Sequence, residues 1–331
     1  MRDWLLQTWY GGSRRGGWLL PLSWLFGLAT GLRRRLYRAG VLRAYRSPRP
    51  VVVVGNLTVG GTGKTPLVVW LAQQLTARGW RVGVVSRGYG RGSGEARRVG
   101  RDDDATQVGD EPLLVARRTD ARVAVASDRP AAVRLLEADC DLVLSDDGLQ
   151  HYALARDFEL VVVDGARGLG NARLLPAGPL REPAARLAEA GAVVINGDGY
   201  QRDGGWRMRV EPLRFVNVAS GEPQPLSTFT GCRAHAVAAL GNPQRFFASL
   251  RALGIEADEH ALPDHAVPGR DQLWFGDELP VLMTEKDAVK CGSAAGPQHW
   301  YLEVGAAFEG DAAARLVSRV EQACRGAATA R

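Results

Sequence analysis

The chain has 331 residues, enough for one large domain or two ordinary ones, and its four cysteines lie far apart in sequence. Their spacing fits neither a disulfide framework nor a zinc site, which indicates a reducing, cytosolic setting. The formal charge is +6, yet the first 50 residues alone carry ten arginines and a single acid. Because the basic excess is confined to one end, we predict no nucleic-acid partner.

The N-terminal segment combines these arginines with tryptophans and a long apolar run. Residues 18–32 read WLLPLSWLFGLATGL, and RRRLYR follows directly. Tryptophan and arginine suit the headgroup region of a bilayer. The run has 15 residues, fewer than the roughly 20 that span a bilayer as a helix. We predict that residues 1–45 form a monotopic membrane-associating segment; a single membrane crossing and a helix packed on the protein body are the alternatives.

From residue 46 onward, short β-rich runs alternate with helical stretches, which predicts parallel βαβ units. The predicted strands are 51–55, 81–86, 121–127, 141–148, 158–165 and 192–197, and the predicted helices are 64–78 and 129–139. We predict one domain over 46–204, a two-stranded linker over 205–226 and a smaller C-terminal α/β domain over 227–331. In that smaller domain the predicted strands are 235–240, 280–284 and 300–304, and the predicted helices are 243–253 and 312–324.

The first predicted strand leads into TVGGTGKTP (58–66) and then into a helix. Its glycines let successive N–H groups point at phosphate oxygens, and the helix N-terminus adds its positive end. Lys64 can reach the β and γ phosphates of a nucleotide, and the Thr65 hydroxyl can ligate Mg²⁺. The predicted nucleotide-binding residues are Thr58, Val59, Gly60, Gly61, Thr62, Gly63, Lys64 and Thr65. The predicted fold class is therefore α/β, a P-loop NTPase-like doubly wound sheet with a second, smaller α/β domain; a glycine-rich hairpin is the alternative at this loop.

A long segment without predicted structure spans 88–112, and loops of this length are usually functional or mobile. Asp110 and Glu111 at its end, and His265 in LPDHA, lie in turn-like polar sequence. A kinase needs a carboxylate or histidine to take the proton of the acceptor hydroxyl. These three residues are candidates for that role, and the alternative for each is a solvated loop residue.

The run DLVLSDDGLQH (141–151) has the form of a Walker B strand that ends in two acids. Asp146 and Asp147 point in different directions, so one can hold Mg²⁺ or its water while the other faces the reaction centre. The sequence does not decide between them. An ordinary acidic turn is the alternative.

Lysine is scarce in this chain. Of 42 basic residues only Lys64, Lys286 and Lys290 are lysine. A chain that uses arginine elsewhere indicates that these three serve roles needing a compact ammonium group; chance is the alternative.

Together these motifs resemble the tetraacyldisaccharide 4'-kinases of lipid A biosynthesis, over nearly the whole chain. The segments that carry the resemblance, in order, are GNLTVGGTGKTP (55–66), SRGYGR (86–91), VGDEP (108–112), SDR (127–129), DDGLQH (146–151), LLPAGPLRE (174–182), GNPQRFF (241–247), PDH (263–265) and MTEKDAVKC (283–291). The resemblance implies transfer of the γ-phosphate of ATP to the 4'-hydroxyl of a tetraacyldisaccharide 1-phosphate, giving lipid IVA. It also implies Mg²⁺ as cofactor and an N-terminal segment at the bacterial inner membrane. We predict the cytoplasmic face of that membrane, and no obligate protein partner is evident from the sequence.

The resemblance further implies roles for individual residues. Asp110 would be the base on the 4'-hydroxyl, polarised by His265, and Lys64 and Asp147 would also act in catalysis. The implied metal ligands are Thr65, Glu111, Asp146 and Asp147. Motif positions implied to contact the nucleotide, phosphates or the lipid head are Arg87, Tyr89, Arg129, Gln150 and Arg181.

Three other functions remain open at this point. A membrane-associated P-loop ATPase or GTPase of the partitioning or targeting type often has an early lysine in its loop, and none precedes Lys64 here. A soluble small-molecule kinase or ATP-dependent ligase would not need the Trp- and Arg-rich first 40 residues. In a non-catalytic nucleotide-binding module, Asp110 and Asp147 would be dispensable.

Overall fold

A computed structural model of the protein describes residues 2–11, 14–264 and 266–329. Its helices are α1 (Arg2–Tyr10), α2 (Leu20–Arg38), α3 (Lys64–Ala77), α4 (Ala105–Val108), α5 (Asp110–Arg118), α6 (Arg129–Leu136), α7 (Pro243–Ala252), α8 (Glu285–Cys291) and α9 (Ala312–Thr329). Its strands are β1 (Val51–Gly55), β2 (Val82–Ser86), β3 (Arg97–Val99), β4 (Arg122–Val125), β5 (Leu142–Asp146), β6 (Phe158–Asp164), β7 (Ala192–Asn196), β8 (Trp206–Asn217), β9 (Pro223–Gln224), β10 (Arg233–Ala238), β11 (Glu256–Ala261), β12 (Val281–Thr284) and β13 (His299–Phe308).

The described strands form one continuous sheet, in the order β11-β10-β12-β13-β8-β7-β6-β1-β5-β2-β4-β3, with β9 paired to β8. Neighbouring strands are parallel except for β3 with β4 and for β8 with β13 and β9. Helices on both faces of a parallel sheet bury its strands, which is why β1 reads as an unbroken apolar run.

The larger unit, residues 46–204, shows this two-sided burial at its centre. Successive strand residues point to opposite faces. Val52 and Val54 accordingly pack with residues of α3 and α9, whereas Val51 and Val53 pack with residues of α6. The predicted doubly wound α/β fold is confirmed, and the carboxyl ends of its parallel strands share the edge at which such sheets bind ligands.

The smaller unit, residues 227–331, continues the same sheet through one long antiparallel pair of strands. Strand β8 pairs with β7 through its first three residues and with β13 from Met208 to Asn217. The residues 205–226 that we predicted as a two-stranded linker thus hold β8 and β9, while the long partner of β8 comes from β13. Helix α9 then returns to the larger unit, where Leu316, Val317 and Val320 are fully buried beside α3.

The predicted elements of the larger unit are confirmed to within a few residues, but the segment 88–112 is not the unstructured loop that we predicted. It contains β3, α4 and the start of α5. The prediction also missed β11 and α8. Strand β11 reads EADEHA, and such a charged sequence suits the edge position that this strand occupies.

One face of helix α2 packs against the larger unit. The Ser23 hydroxyl donates to the Leu174 carbonyl at 2.8 Å, and the Arg34 guanidinium pairs with Glu189. A Cβ added at Gly27 would lie 2.7 Å from Leu174 Cδ1, so the helix approaches the Leu174 side chain closely at this point. Within the described part of the chain, no helix combines the length and the apolar character needed to cross a membrane.

Candidate active site

The loop between β1 and α3 has the backbone of a phosphate cradle. Gly60 and Gly63 have φ values of +104° and +87°, which other residues rarely adopt. A Cβ at Gly63 would lie 2.3 Å from Asn196 Nδ2. The same Nδ2 donates to the Thr62 carbonyl at 3.0 Å. The end of β7 therefore holds the turn from which α3 starts.

Thr58 fits the loop because its position does not require glycine. The backbone of Thr58 forms a bridge with Leu180, and Val59 N–H donates to the Pro179 carbonyl at 2.9 Å. Thr58 is also absent from the residues with positive φ. The segment LLPAGPLRE thus runs beside the cradle as an extended partner, where a β-branched residue is well suited.

The charged groups behind the cradle converge on Asn56 and Asp147. Lys64 Nζ donates to Asn56 Oδ1 at 3.1 Å and lies 3.5 Å from Asp147 Oδ1. The Arg181 guanidinium donates to the Thr58 carbonyl at 3.2 Å and to Asp147 Oδ1 at 3.3 Å, and it also contacts Asn56 Oδ1. Burial acts to raise the pKa of Asp147, but Lys64 and Arg181 outweigh it and lower the pKa to about 2. Asp147 is therefore an anion that holds two cations beside the cradle.

Asp146 and Asp147 occupy different environments although they are adjacent. Asp146 ends β5 and is 1% exposed, whereas Asp147 has φ +47°, in the left-handed region that only a few residue types tolerate. Burial first, and then the neighbouring Glu111, raise the pKa of Asp146 to about 7. Within the described residues, Asp146 Oδ1 has no hydrogen-bond partner. The turn after β5 thus presents one anionic carboxylate and one that resists ionisation.

We expect Asp146→Asn to stabilise the metal-free protein at pH 8 and to change its stability little at pH 4. The native pKa is about 7, whereas an unfolded aspartate titrates near 3.9. The native state therefore binds more protons between these values, so the free energy of unfolding decreases as the pH rises from about 4 to about 7. In thermal unfolding with EDTA at pH 8, the variant should gain about 3 to 6 °C. A lower Tm at pH 8 would contradict this reading of the carboxylate.

Asp110 and Glu111 form the first turn of α5 and are not solvated loop residues. Asp110 is 6% exposed, and its Oδ1 accepts the Glu111 N–H at 2.9 Å. Lys286, from α8 of the smaller unit, donates to Glu111 Oε1 at 2.9 Å and lies 3.7 Å from Asp110 Oδ2. Burial acts to raise the pKa of Glu111, but Lys286 and Lys64 lower it below its usual range. This turn therefore lies where the two units meet, beside the cluster of Lys64, Asp146 and Asp147.

Magnesium is the metal that the motifs imply, and the oxygen atoms of this cluster fit it. No three His, Cys, Asp or Glu side chains among those described lie close enough to hold a metal by themselves. Magnesium in kinase sites usually takes only one or two carboxylates, with phosphate oxygens and water completing the shell. The unpartnered Oδ1 of Asp146 is a hard anionic ligand of this kind, and the hydroxyl of Thr65 lies in the first turn of α3.

The remaining predicted residues divide into buried and exposed positions. Arg129 is 1% exposed and donates to the carbonyls of Ala126 and Asp146 at 3.2 and 3.0 Å, so it supports the acidic turn from beneath. Gln150 Nε2 donates to the Asn56 carbonyl at 3.3 Å and to Glu182 at 2.9 Å, behind the cradle. Arg87 and Tyr89 are exposed. His265 lies outside the described residues.

Two glycines connect the exposed pair to the start of α5. Gly109 has φ +92°, and a Cβ at this position would lie 2.9 Å from the Cα of Gly88. The motifs SRGYGR and VGDEP therefore contact each other through the backbone atoms of these two glycines. Their contact keeps Arg87 and Tyr89 close to the turn that carries Asp110.

Three residues of this cluster were not among the predicted site residues. Asn56 is fully buried and contacts both Lys64 and Arg181. Asn196 holds the cradle at Thr62, and a polar residue at the carboxyl end of a buried strand was the available signal. Lys286 reaches Glu111 from the smaller unit. The scarcity of lysine had drawn attention to Lys286, but the sequence did not indicate which residue it contacts.

Comparison with known proteins points to one family. The family model LpxK, tetraacyldisaccharide-1-P 4'-kinase, matches residues 16–321. A protein named tetraacyldisaccharide 4'-kinase from Pseudomonas aeruginosa (strain UCBPP-PA14) is 51% identical over 306 residues, which are 91% of this chain and 92% of that one. A protein of the same name from Azotobacter vinelandii is 52% identical over 310 residues, 92% of this chain and 93% of that one.

A solved structure shows the same fold. The crystal structure described as the "apo" form of LpxK from Aquifex aeolicus in complex with ATP aligns with a TM-score of 0.79 and 29% identity. The alignment covers 93% of this chain and 99% of that chain.

Proposed function

The chain belongs to the tetraacyldisaccharide 4'-kinase family, and we propose how its residues carry out that reaction. The enzyme is a kinase that transfers the γ-phosphate of ATP to the 4'-hydroxyl of a tetraacyldisaccharide 1-phosphate, and the product is the 1,4'-bisphosphate, lipid IVA. The observation that carries this function is the identity of about half the residues over nearly the full length of named kinases. A membrane-associated ATPase of the partitioning or targeting type is not favoured.

The cradle and Lys64 bind the triphosphate of ATP. Backbone N–H groups of residues 60–65 and the N-terminus of α3 face the β and γ phosphates, and Lys64 adds a mobile positive charge. Asn56 holds the lysine ammonium, and Asp147 holds it and Arg181 on the same side. This preorganisation supports stabilisation of the charge that develops on the γ-phosphate during transfer.

Asp146, Glu111 and Thr65 would hold Mg²⁺, and Asp147 would act on the water bound to it. The bound ion would supply neutralisation of the charge on the phosphates. The raised pKa of Asp146 supports this assignment: burial and the neighbouring Glu111 carboxylate outweigh Lys64 and Arg129, so a bound cation would favour the ionised form.

Asp110 takes the proton from the 4'-hydroxyl as that oxygen attacks phosphorus. Its position in the first turn of α5, where the two units meet, supports access to an acceptor that enters between them. His265 assists Asp110 from the smaller unit, and Arg87 and Tyr89 contact the acceptor head. Arg181 and Gln150 act on the nucleotide side, which their contacts with Asn56 support.

The outward face of α2 supports docking at the cytoplasmic surface of the inner membrane. Its large apolar side chains are exposed by 51 to 71%, and they are Trp18, just before the helix, and Leu22, Trp24, Leu25, Leu28 and Leu32. An apolar stripe next to arginines matches a helix that lies in the bilayer interface. An acceptor with four acyl chains stays in lipid, so docking brings its sugar within reach of the cleft.

We expect Leu28→Glu to weaken binding to vesicles of anionic phospholipid about ten-fold or more. The substitution removes one inserted leucine, worth roughly 1.5–3 kcal/mol when buried, and adds repulsion from the lipid charge. Leu213→Glu is the matched control, because Leu213 is a leucine that is 50% exposed on β8. Vesicle co-sedimentation measures both. Equal losses for the two variants would contradict docking through α2.

The domain division that we propose remains 1–45, 46–204, 205–226 and 227–331. The separate cores on the two sides of β8 and β13 support it. Helix α9 lies within residues 227–331 but packs against residues of the 46–204 domain, so it connects the two domains.

The decisive experiment is an acceptor assay. Purified protein with γ-labelled ATP, Mg²⁺ and the disaccharide 1-phosphate in detergent should yield a labelled lipid. Release of labelled phosphate with no labelled lipid would overturn the kinase assignment and favour an ATPase.

A further inference from the structure

Two adjacent residues of α8 engage opposite ends of α5. Lys286 Nζ donates to Glu111 Oε1 at 2.9 Å and lies 3.7 Å from Asp110 Oδ2, at the first turn of α5. Glu285 Oε2 accepts from Arg118 Nη1 at 2.6 Å, at the last turn. We call these two ion pairs the α5–α8 clamp.

The spacing of the clamp fixes α8 along α5. Nine residues of α-helix rise about 1.5 Å each, so the two ends of α5 lie roughly 12 Å apart. Neighbouring residues of a helix point in different directions, so Glu285 and Lys286 can reach both ends from one place. Sliding or turning α8 would break one of the pairs. The smaller unit is therefore held in a defined position against the turn that carries Asp110.

The carboxylate of Asp110 is oriented through both of its oxygens. Oδ1 accepts the backbone N–H of Glu111 at 2.9 Å, and Oδ2 faces Lys286 at 3.7 Å. On the other side of the turn, the close approach of Gly109 to Gly88 fixes the backbone. Lys286 supplies the contact from the smaller unit, and its side chain is 20% exposed, so water weakens this contact less than it would a surface pair.

We propose that Lys286 is a positioning residue for Asp110: it crosses from the smaller unit, holds the neighbouring Glu111 carboxylate, and orients the Asp110 carboxylate for proton removal from the acceptor. This inference rests on the proposed role of Asp110 as base. Lys286 itself does not touch the reacting atoms.

A lysine suits this place better than an arginine. One compact ammonium group can donate toward two carboxylates from a single point, whereas the planar guanidinium favours one carboxylate held in parallel. The chain contains only three lysines among 42 basic residues. The presence of lysine at position 286 agrees with this geometric requirement.

A double-mutant cycle with Asp110 tests the proposal. Lys286→Met should lower kcat about 10- to 100-fold and change the KM for ATP less than about 3-fold, because it acts on the base and not on the nucleotide. In an Asp110→Asn background the same change should lower kcat less than about 2-fold further, since residues that act through one another are not additive. Lys286→Arg should recover only part of the loss.

Two controls separate positioning from general loss of structure. Glu285→Gln breaks the other end of the clamp, and its effect on kcat should be the same in both backgrounds. Arg251→Met removes the ion pair between Arg251 on α7 and Glu259 on β11 and should leave kcat unchanged. Thermal unfolding of each variant shows that it is folded, and Lys286→Arg serves for the cycle if Lys286→Met does not fold.

The outcomes distinguish the two ideas. If Asp110→Asn has no effect on kcat, the proposed base is wrong and the role of Lys286 falls with it. If Asp110→Asn is severely impaired but Lys286→Met is fully active, or loses the same factor in both backgrounds, only the positioning role is overturned.

Discussion

Asp110→Asn should reduce kcat by a factor of about 10² to 10⁴, the range that a general base contributes, while the KM for ATP changes less than about 3-fold. The amide keeps the shape of the side chain, and its oxygen can still accept the Glu111 N–H that Asp110 Oδ1 accepts at 2.9 Å. What it loses is the capacity to accept a proton, which the proposed role of Asp110 as base requires. Steady-state phosphorylation of the disaccharide acceptor, with ATP and acceptor varied separately, measures the effect.

Asp104→Asn makes the same chemical change six residues away in the same segment. Asp104 is exposed and caps α4, where its Oδ1 accepts the Thr106 N–H at 2.7 Å. Asparagine is an equally good N-cap, so this control should keep its kcat. A kcat for Asp110→Asn close to that of Asp104→Asn would remove Asp110 as the base.

The fold of the larger unit was predictable because its strands are buried on both faces. Runs such as 51–55 are apolar without interruption, and the helices between them force parallel pairing. Strand β11 and helix α8 were missed because neither shows such a pattern: β11 carries charges along an edge, and α8 has only seven residues.

The site was less predictable because burial depends on contacts distant in sequence. Asp110 reads as part of a polar loop, yet Gly88 and Lys286 enclose it from segments about 20 and 175 residues away. The sequence also did not indicate that Arg129 is buried beneath the acidic turn, where it donates to two backbone carbonyls. The phosphate cradle was recognisable because strand, glycines, lysine and helix are consecutive.

Lys64→Met should lower kcat/KM for ATP at least about 100-fold, the scale on which a single preorganised electrostatic contact affects catalysis. The Lys64 ammonium lies 3.1 Å from Asn56 Oδ1 and 3.5 Å from Asp147 Oδ1, with the side chain 13% exposed. Methionine preserves the packing of the aliphatic stem but leaves the γ-phosphate without this charge. Lys64→Arg should also be severely impaired, because the larger planar fork does not fit where a compact ammonium group lies between Asn56 and Asp147.

Lys290 provides the contrast within the same chain. Its side chain is 5% exposed and donates to Asp287 Oδ1 at 2.8 Å, and Asp287 is fully buried. Removing one partner of such a buried pair costs about 3–5 kcal/mol, so Lys290→Met should lower the Tm while any folded protein keeps its affinity for ATP. Lys64→Met should show the reverse: a Tm near that of the parent, because Arg181 still pairs with Asp147, and weak ATP binding by calorimetry. Parent-like ATP affinity and kcat/KM in Lys64→Met would show that the cradle does not use its lysine for the triphosphate.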